Sequence, residues 1–156
     1  MRLHVEWGRP VMLKNAKSDG MVYVLDLERV PVTAGVYVFG RRWGKQFEAL
    51  YVGKANNIRS RAKTHLNNLR LMSHLRDAKS GKRVLLAGTL VTKGGQKLAK
   101  SLAVAEKAFI RHFLSEGHDL VNRQGTRLRR HEVASSGRYP KRYFPREIHL
   151  EKAKGG

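Results

Sequence analysis

The sequence predicts an α/β domain in which a small antiparallel sheet is flanked by helices. Two short apolar strands, 35–39 and 50–54, lie close together in the chain, and a third β-rich run covers 84–92. Two further segments repeat apolar residues at helical spacing. Apolar residues make up 41% of the 156 residues, which is enough for one core, and we predict a single domain over 1–156.

The first 33 residues contain short apolar runs. Residues 3–7 alternate between apolar and polar side chains, and residues 21–27 are rich in β-forming types. This segment predicts one or two peripheral strands before the first long strand.

The two apolar strands each carry a tyrosine, Tyr37 in the first and Tyr51 in the second. A loop containing Gly40 and Gly44 separates them, which favours an antiparallel hairpin. Because side chains alternate along a strand, both tyrosines share one face of the hairpin if the register allows it.

A helix is predicted directly after the second strand, with Asn56 or Asn57 as its N-cap. Arg61 and His65, four residues apart, fall along one edge of its apolar stripe, so we expect them beside the core rather than in it. The stripe itself contains Ile58, Ala62, Leu66 and Leu69.

A second helix is predicted from about 97 to 115, ended by Gly117. Glu106 interrupts its apolar stripe between Leu102 and Phe109. A carboxylate that faces a core without a partner costs several kcal/mol. Two explanations stay open: a buried ion pair with Arg or Lys, or a metal ligand at the mouth of a cleft that suits a hard cation.

The remaining chain is strongly basic. Residues 122–142 are rich in Arg, Gly, Ser and His, which indicates a basic surface loop region. The alternation in residues 143–150 predicts a last short strand. Lys and Arg total 32 against 12 acids, a net charge of +20, which favours a polyanionic partner, most often nucleic acid. No apolar run approaches the ~18 residues of a membrane span.

Cysteine is absent, which excludes disulfides, thiolate metal sites and cysteine nucleophiles. The histidines lack zinc-hydrolase spacing. The lack of cysteine fits a reducing cytoplasm, where we expect this protein.

The two tyrosines have two interpretations. Either one alone is expected to pack in the core. Beside the cations Lys54 and Arg61, however, the pKa of a phenol falls, and such a tyrosine can accept a proton from an attacking water. Arg61 can bind a phosphate at two points, and His65 is a candidate proton shuttle.

Taken in order, these residues resemble the GIY-YIG nuclease family. The resembling elements are Gly35-Val36-Tyr37, Tyr51-Val52-Gly53, an arginine eight residues after the second triplet, a helix-borne glutamate and a following asparagine. The arginine is Arg61, or Arg59 in an alternative alignment. The glutamate is Glu106 and the asparagine is Asn122. The stretch after the second triplet is especially similar to the amino-terminal nuclease domain of the bacterial excision-repair incision enzyme. The loop between the triplets is slightly long.

The resemblance implies a central three-stranded antiparallel sheet flanked by helices, with peripheral N- and C-terminal strands. The catalytic core would cover about 31–124 and a basic C-terminal extension about 123–156. It also implies hydrolysis of DNA phosphodiesters with one Mg²⁺, for which Mn²⁺ substitutes. By this resemblance Tyr37 would be the general base or the phenol that orients the water, and Tyr51 would support it by hydrogen bonding. Arg61 and Lys54 would bind the phosphate, and Glu106 would bind the metal. His65 would assist, and Asn122 would stabilise the site through hydrogen bonds.

DNA is the expected partner, bound by a monomer or a homodimer. The expected contacts are Arg41, Arg42, Lys54, Arg59, Arg61, Lys63, Arg123, Arg127, Arg129 and Arg130. Repair, restriction, homing, branch resolution, defence and toxin roles all stay open. The alternatives are an RNA-cleaving nuclease and a non-catalytic basic protein that coats nucleic acid, which the charge alone would explain.

Overall fold

The structure, a computed structural model, describes residues 2–17, 20–121 and 137–138, together with the backbone of 129–134 and 147–152. A 3₁₀ turn covers Leu27–Arg29. The strands are β1 (His4–Trp7), β2 (Val11–Met12), β3 (Lys14–Asn15), β4 (Tyr23–Val24), β5 (Gly35–Trp43), β6 (Gln46–Ala55), β7 (Lys82–Val91), β8 (Arg129–Ala134) and β9 (Glu147–Lys152). The helices are α1 (Ile58–Leu66), α2 (Leu69–Asp77) and α3 (Leu98–Ser115).

The main sheet is antiparallel and has five strands rather than the expected three. Its order is β1-β7-β5-β6, and β2 also pairs with β7. The three long strands form the centre and one edge, and the two added strands come from the predicted peripheral N-terminal segment. Pro10 stands between β1 and β2, and because proline cannot donate a ladder hydrogen bond the segment forms two short strands along β7.

The register of β5 and β6 places both tyrosines on one face, as predicted. Tyr37 lies opposite Gly53, and Phe39 lies opposite Tyr51. The register then shifts between Phe39 and Gly40, so that Leu50 has no partner on β5 and forms a β-bulge.

The predicted loop between the tyrosine strands is instead strand almost throughout. Arg41 and Arg42 belong to β5, which continues to Trp43, and only Gly44 and Lys45 form the turn. Gly44 has a φ of 55°, the left-handed conformation that a two-residue hairpin turn requires. The expected loop was therefore correct at Gly44 but wrong at Gly40, which lies within β5.

Two helices, not one, follow β6. Asn57 caps α1 through a side-chain oxygen that accepts the Ser60 N–H, and Asn68 caps α2 by accepting the Leu71 N–H. The apolar stripe predicted through Leu69 was therefore too long: Leu69 is the first residue of α2 and is 60% exposed.

The core has two layers, one on each side of the sheet. Helices α1 and α2 pack on the face that carries Tyr37 and Phe39. Helix α3 packs on the opposite face through Ile110 and Leu114, against Val38 and Val52. The sheet therefore separates the two helical layers, and α3 also reaches its β6 edge.

Arg83 on β7 closes the end of α2. Its guanidinium is buried and donates to the carbonyl oxygens of Leu75 at 2.6 Å, Gly81 at 2.7 Å and Ala78 at 2.8 Å. Leu75 and Ala78 lie at the end of α2, where carbonyls lack intrahelical partners, and Gly81 lies in the segment that leads into β7. One side chain thus ties the helix end to the start of β7.

The end of α3 and the C-terminal segment complete the fold. Gly117 follows α3 with a φ of 86°, as its prediction as a helix stop requires. Strand β8 lies within the stretch 122–142 that was predicted to be loop, which was therefore wrong for residues 129–134, and it pairs with β9, which starts later than the predicted strand 143–150. None of the helices in the described part of the chain has the length and apolarity needed to cross a membrane.

Candidate active site

The site lies along the outer edge of β6. This strand ends the sheet order, so its outward N–H groups have no strand partner. Side chains supply partners at two points. The Lys54 N–H donates to the carboxylate of Glu106 on α3, and the Ala49 N–H donates to Nδ1 of His118 at 2.8 Å. Glu106 interrupts its apolar stripe because that position faces the edge of a strand.

The two phenols and His65 form a tight aromatic group on the α1 side of this edge. The Tyr37 hydroxyl lies 2.6 Å from Nε2 of His65, and this hydrogen bond is buried. The rings of Tyr37 and Tyr51 are nearly parallel, at 24°, with centroids 6.2 Å apart. The Tyr51 ring also meets His65 edge-on at 4.9 Å.

Tyr37 is only 1% exposed, and its acidity moves in the direction opposite to the one expected. Burial raises the pKa of Tyr37 far above that of a free phenol, and the nearby Tyr51 raises it further. Arg61 opposes this rise but does not reverse it. The expected fall in the pKa of Tyr37 was therefore wrong, because desolvation outweighs the lowering effect of Arg61.

Tyr51 differs from Tyr37 in exposure and in its neighbours. It is half-buried, and burial raises its pKa too. The polar contact between the two phenols raises the pKa of Tyr37 but lowers that of Tyr51, and Arg61 also lowers it. Of the two phenols, Tyr51 is therefore the one that solvent reaches and whose ionisation its partner supports.

His65 lies in the core and not beside it, contrary to the prediction. It is 4% exposed, and burial followed by the charge of Arg61 lowers its pKa to about 4. The imidazole is therefore neutral at pH 7. In the tautomer with its proton on Nε2 it donates to the Tyr37 hydroxyl oxygen, which leaves the hydroxyl proton of Tyr37 for Tyr51. His65 therefore holds the hydroxyl group of Tyr37 in position.

Glu106, Lys54 and Arg61 form the solvent side of the group. Glu106 is half-buried, whereas Lys54 and Arg61 are exposed. Burial raises the pKa of Glu106, and Lys54 opposes that rise through its ammonium charge and its backbone N–H. The negative charge of Glu106 in turn acts on Tyr51, which places the carboxylate near that phenol.

Six of the seven predicted catalytic residues thus converge, from β5, β6, α1 and α3. The seventh, Asn122, lies outside the described residues, as do Arg123 and Arg127 and the side chains of Arg129 and Arg130.

The other predicted DNA contacts differ in exposure and in their partners. Arg59 donates to the carbonyl oxygens of Val30 and Glu28, which favours Arg61 as the motif arginine. Arg41 is 8% exposed and bonded to Glu48, whereas Arg42 and Lys63 are exposed.

Two residues of the site have roles that the sequence analysis did not give: Gly53, which it named only as part of the second triplet, and His118, which it did not single out. The Tyr37 ring lies over Gly53, where any Cβ would overlap it. The contact could have been predicted only by assuming the hairpin register in which Gly53 lies opposite Tyr37. His118 gave no comparable signal, because its partner is a backbone N–H of β6.

Comparison with known proteins adds no relative: no family model, no curated protein and no solved structure matches this chain.

Proposed function

We propose that this protein is a divalent-metal-dependent endonuclease that hydrolyses DNA phosphodiester bonds at the outer edge of β6. One observation carries the proposal: a carboxylate, two phenols, a guanidinium and an ammonium converge there from four separate elements. The net charge of +20 supports a polyanionic substrate. The order and spacing of these residues support membership of the GIY-YIG nuclease family.

The donor chemistry at Glu106 fits a hard cation. Its carboxylate is half-buried beside exposed cationic groups, and carboxylate oxygen suits Mg²⁺, with Mn²⁺ as a substitute. The described residues contain no group of three or more His, Cys, Asp or Glu side chains that could hold a metal ion by themselves. Glu106 would therefore share the ion with water and phosphate oxygens, as is common for Mg²⁺. A bound cation would polarise the phosphate and stabilise the leaving oxygen.

The protein's own groups divide the remaining work. Arg61 is exposed beside both phenols and binds the scissile phosphate, where its fork offsets charge that develops on the phosphoryl oxygens. Lys54 adds a second positive charge on the Glu106 side. Asn122 keeps its proposed role as a brace.

The proton-accepting phenol is Tyr51 rather than Tyr37, which revises the roles implied by the family resemblance. Tyr37 is 1% exposed and its hydroxyl is bonded to His65, so an attacking water does not reach it. Tyr51 is half-buried and lies near both Arg61 and Glu106. In its ionised form Tyr51 takes the proton of the water that it orients. Burial and the charge of Glu106 raise the pKa of Tyr51, so this form would rely on a cation at Glu106 to neutralise that charge, together with the hydrogen bond from Tyr37 and the charge of Arg61, which lower the pKa.

The test is cleavage of labelled single-stranded, duplex and branched DNA and of RNA, in Mg²⁺, Mn²⁺ or EDTA. Glu106→Gln is the decisive variant, since its amide oxygen can still accept the Lys54 N–H while its charge is lost. We expect cleavage to need metal and to fall at least about 100-fold in the variant, with DNA binding largely retained. The matched control is Glu116→Gln, an exposed glutamate at the end of the same helix.

Each other outcome has a definite meaning. Cleavage that persists in Glu106→Gln would remove the metal role of this residue. Binding without cleavage in any metal would favour the non-catalytic alternative, and cleavage of RNA alone would change the substrate class.

A further inference from the structure

The tip of the β5–β6 hairpin carries an exposed tryptophan that the proposed reaction does not use. Trp43 is the last residue of β5, is followed by the Gly44–Lys45 turn and is 39% exposed. Tryptophan is enriched at interfaces because its indole combines a large apolar ring with an N–H donor.

One face of this indole has a fixed support. The guanidinium carbon of Arg41 lies 3.8 Å from the centroid of the Trp43 ring. Arg41 is itself held in place, because its Nε donates to Glu48 at 2.9 Å and another nitrogen donates to the Ser80 carbonyl at 2.8 Å. The ring is therefore oriented before any partner arrives, which reduces the entropy that binding costs.

The tip is also surrounded by positive charge. Arg42, Lys45 and Lys82 are exposed, and none of them forms an ion pair with an acid in the described part of the chain. Arg42 and Lys82 lie directly opposite each other on neighbouring strands, an arrangement of like charges that destabilises a sheet. A polyanion bound at the tip would offset that repulsion.

We propose that Trp43 is a stacking platform for an unpaired base of a DNA strand whose phosphates contact these cations. Aromatic rings bind single strands in this way because every unpaired base has an open π-face, whereas the bases inside a duplex are already stacked on both sides. This inference makes the substrate class more specific, namely DNA with unpaired nucleotides. Its link to cleavage rests on the proposed function.

The position of the platform gives a length to test. Trp43 lies four residues along β5 from Phe39, the partner of Tyr51, which is about 13 Å at strand spacing. At the ~3.4 Å rise of stacked nucleotides this is about four nucleotides, and fewer where the strand is extended.

The binding experiment uses tryptophan emission in EDTA, so that no cleavage occurs. The chain has two tryptophans, and Trp7→Phe leaves Trp43 as the only reporter. Trp7 has to be replaced because it is 38% exposed and would contribute its own emission, and phenylalanine keeps an aromatic ring against Phe109, which the Trp7 ring meets edge-on at 5.2 Å. The probes are an oligothymidylate and a blunt DNA duplex of equal nucleotide count at one salt concentration.

We expect the oligothymidylate to quench Trp43 and the duplex to leave its emission nearly unchanged. Trp43→Ala should weaken single-strand binding roughly 5- to 150-fold, with Trp43→Phe in between, and should change duplex affinity less than about 2-fold. Emission that does not respond to the single strand, or equal weakening for both probes, would overturn the proposal. If Trp43→Ala fails to fold by circular dichroism, the titration of Trp7→Phe decides alone.

The cleavage assay separates this inference from the proposed function. Quenching of Trp43 without any metal-dependent cleavage would support the stacking role of Trp43 and contradict the proposed nuclease activity. Cleavage that depends on Glu106 but not on Trp43 would leave the nuclease and remove the platform.

Discussion

The phenol ring of Tyr37 lies over Gly53, its partner across the β5–β6 pair. A Cβ at position 53 would overlap both the ring and the hydroxyl group. The absence of a side chain on one strand thus determines where the buried phenol of the other strand lies, and with it the hydroxyl that meets His65.

Gly53→Ala should therefore displace Tyr37. We expect a loss of about 1–3 kcal/mol in the free energy of unfolding, typical of overpacking a core, together with slower DNA cleavage. Urea denaturation measures the first effect. Gly94→Ala is the matched control, because a Cβ there would meet no atom within 4 Å, and it should change stability by less than about 0.5 kcal/mol. Equal stability of the two variants would contradict the contact.

Removing each phenol oxygen distinguishes the roles of the two tyrosines. Tyr51→Phe should lower the single-turnover cleavage rate by about 10²–10⁴-fold, because it removes the proton acceptor. Tyr37→Phe should retain more activity but lose about 1–3 kcal/mol of stability, because the buried His65 nitrogen loses its partner. A nearly fully active Tyr51→Phe beside an inactive Tyr37→Phe would reverse the assignment.

His65 predicts a loss of stability in mild acid. Its pKa is about 4 in the folded protein against an ordinary 6.5, so the unfolded chain binds the proton more readily between those values. The stabilisation is complete above about pH 6.5 and disappears as the pH falls towards 4. His65→Gln cannot titrate, and its loss between pH 7.5 and pH 5.0 should be about 2 kcal/mol smaller than that of the unmodified protein. Urea denaturation at both values decides, and equal losses would exclude this role for His65.

Arg83 predicts a large structural effect far from the chemistry. Arg83→Met removes the donors that reach the carbonyls at the end of α2 and should cost about 3 kcal/mol, measured by urea denaturation. Arg83→Lys should recover only part, since an ammonium lacks the planar fork. The exposed neighbour Lys82 serves as control, and Lys82→Ala should leave stability unchanged or slightly higher. A neutral Arg83→Met would show that water replaces the guanidinium.

The sequence predicted those parts of the fold that depend on local patterns. The tyrosine hairpin, the third long strand and α3 follow from side-chain periodicity. The bounds of the third strand and of α3 agree closely with the structure, whereas the tyrosine strands are longer than predicted and meet at a two-residue turn. The break between α1 and α2 was missed because the apolar spacing continues through Leu69, although Asn68 carries the signal of a new cap. The pairing of β1 and β2 with β7 depends on contacts distant in sequence, which periodicity does not reveal.

The sequence predicted which residues form the candidate site but not how deeply they are buried. Residue type and order identified Tyr37, Arg61 and Glu106, which the structure brings together. The depth of burial was the missing quantity. Helix α2 covers the sheet beside α1, and the resulting desolvation raises the pKa of Tyr37 and encloses His65.

The contact between Glu106 and the Lys54 N–H also has a consequence for self-association. An outer strand with free N–H groups invites another chain to extend the sheet, and here the carboxylate of α3 occupies one such group while His118 occupies a second. The residue proposed to hold the metal thus also protects the sheet edge from strand addition. Replacing it with a side chain that cannot accept a hydrogen bond, such as alanine, would reopen that edge and promote aggregation, independently of any loss of activity.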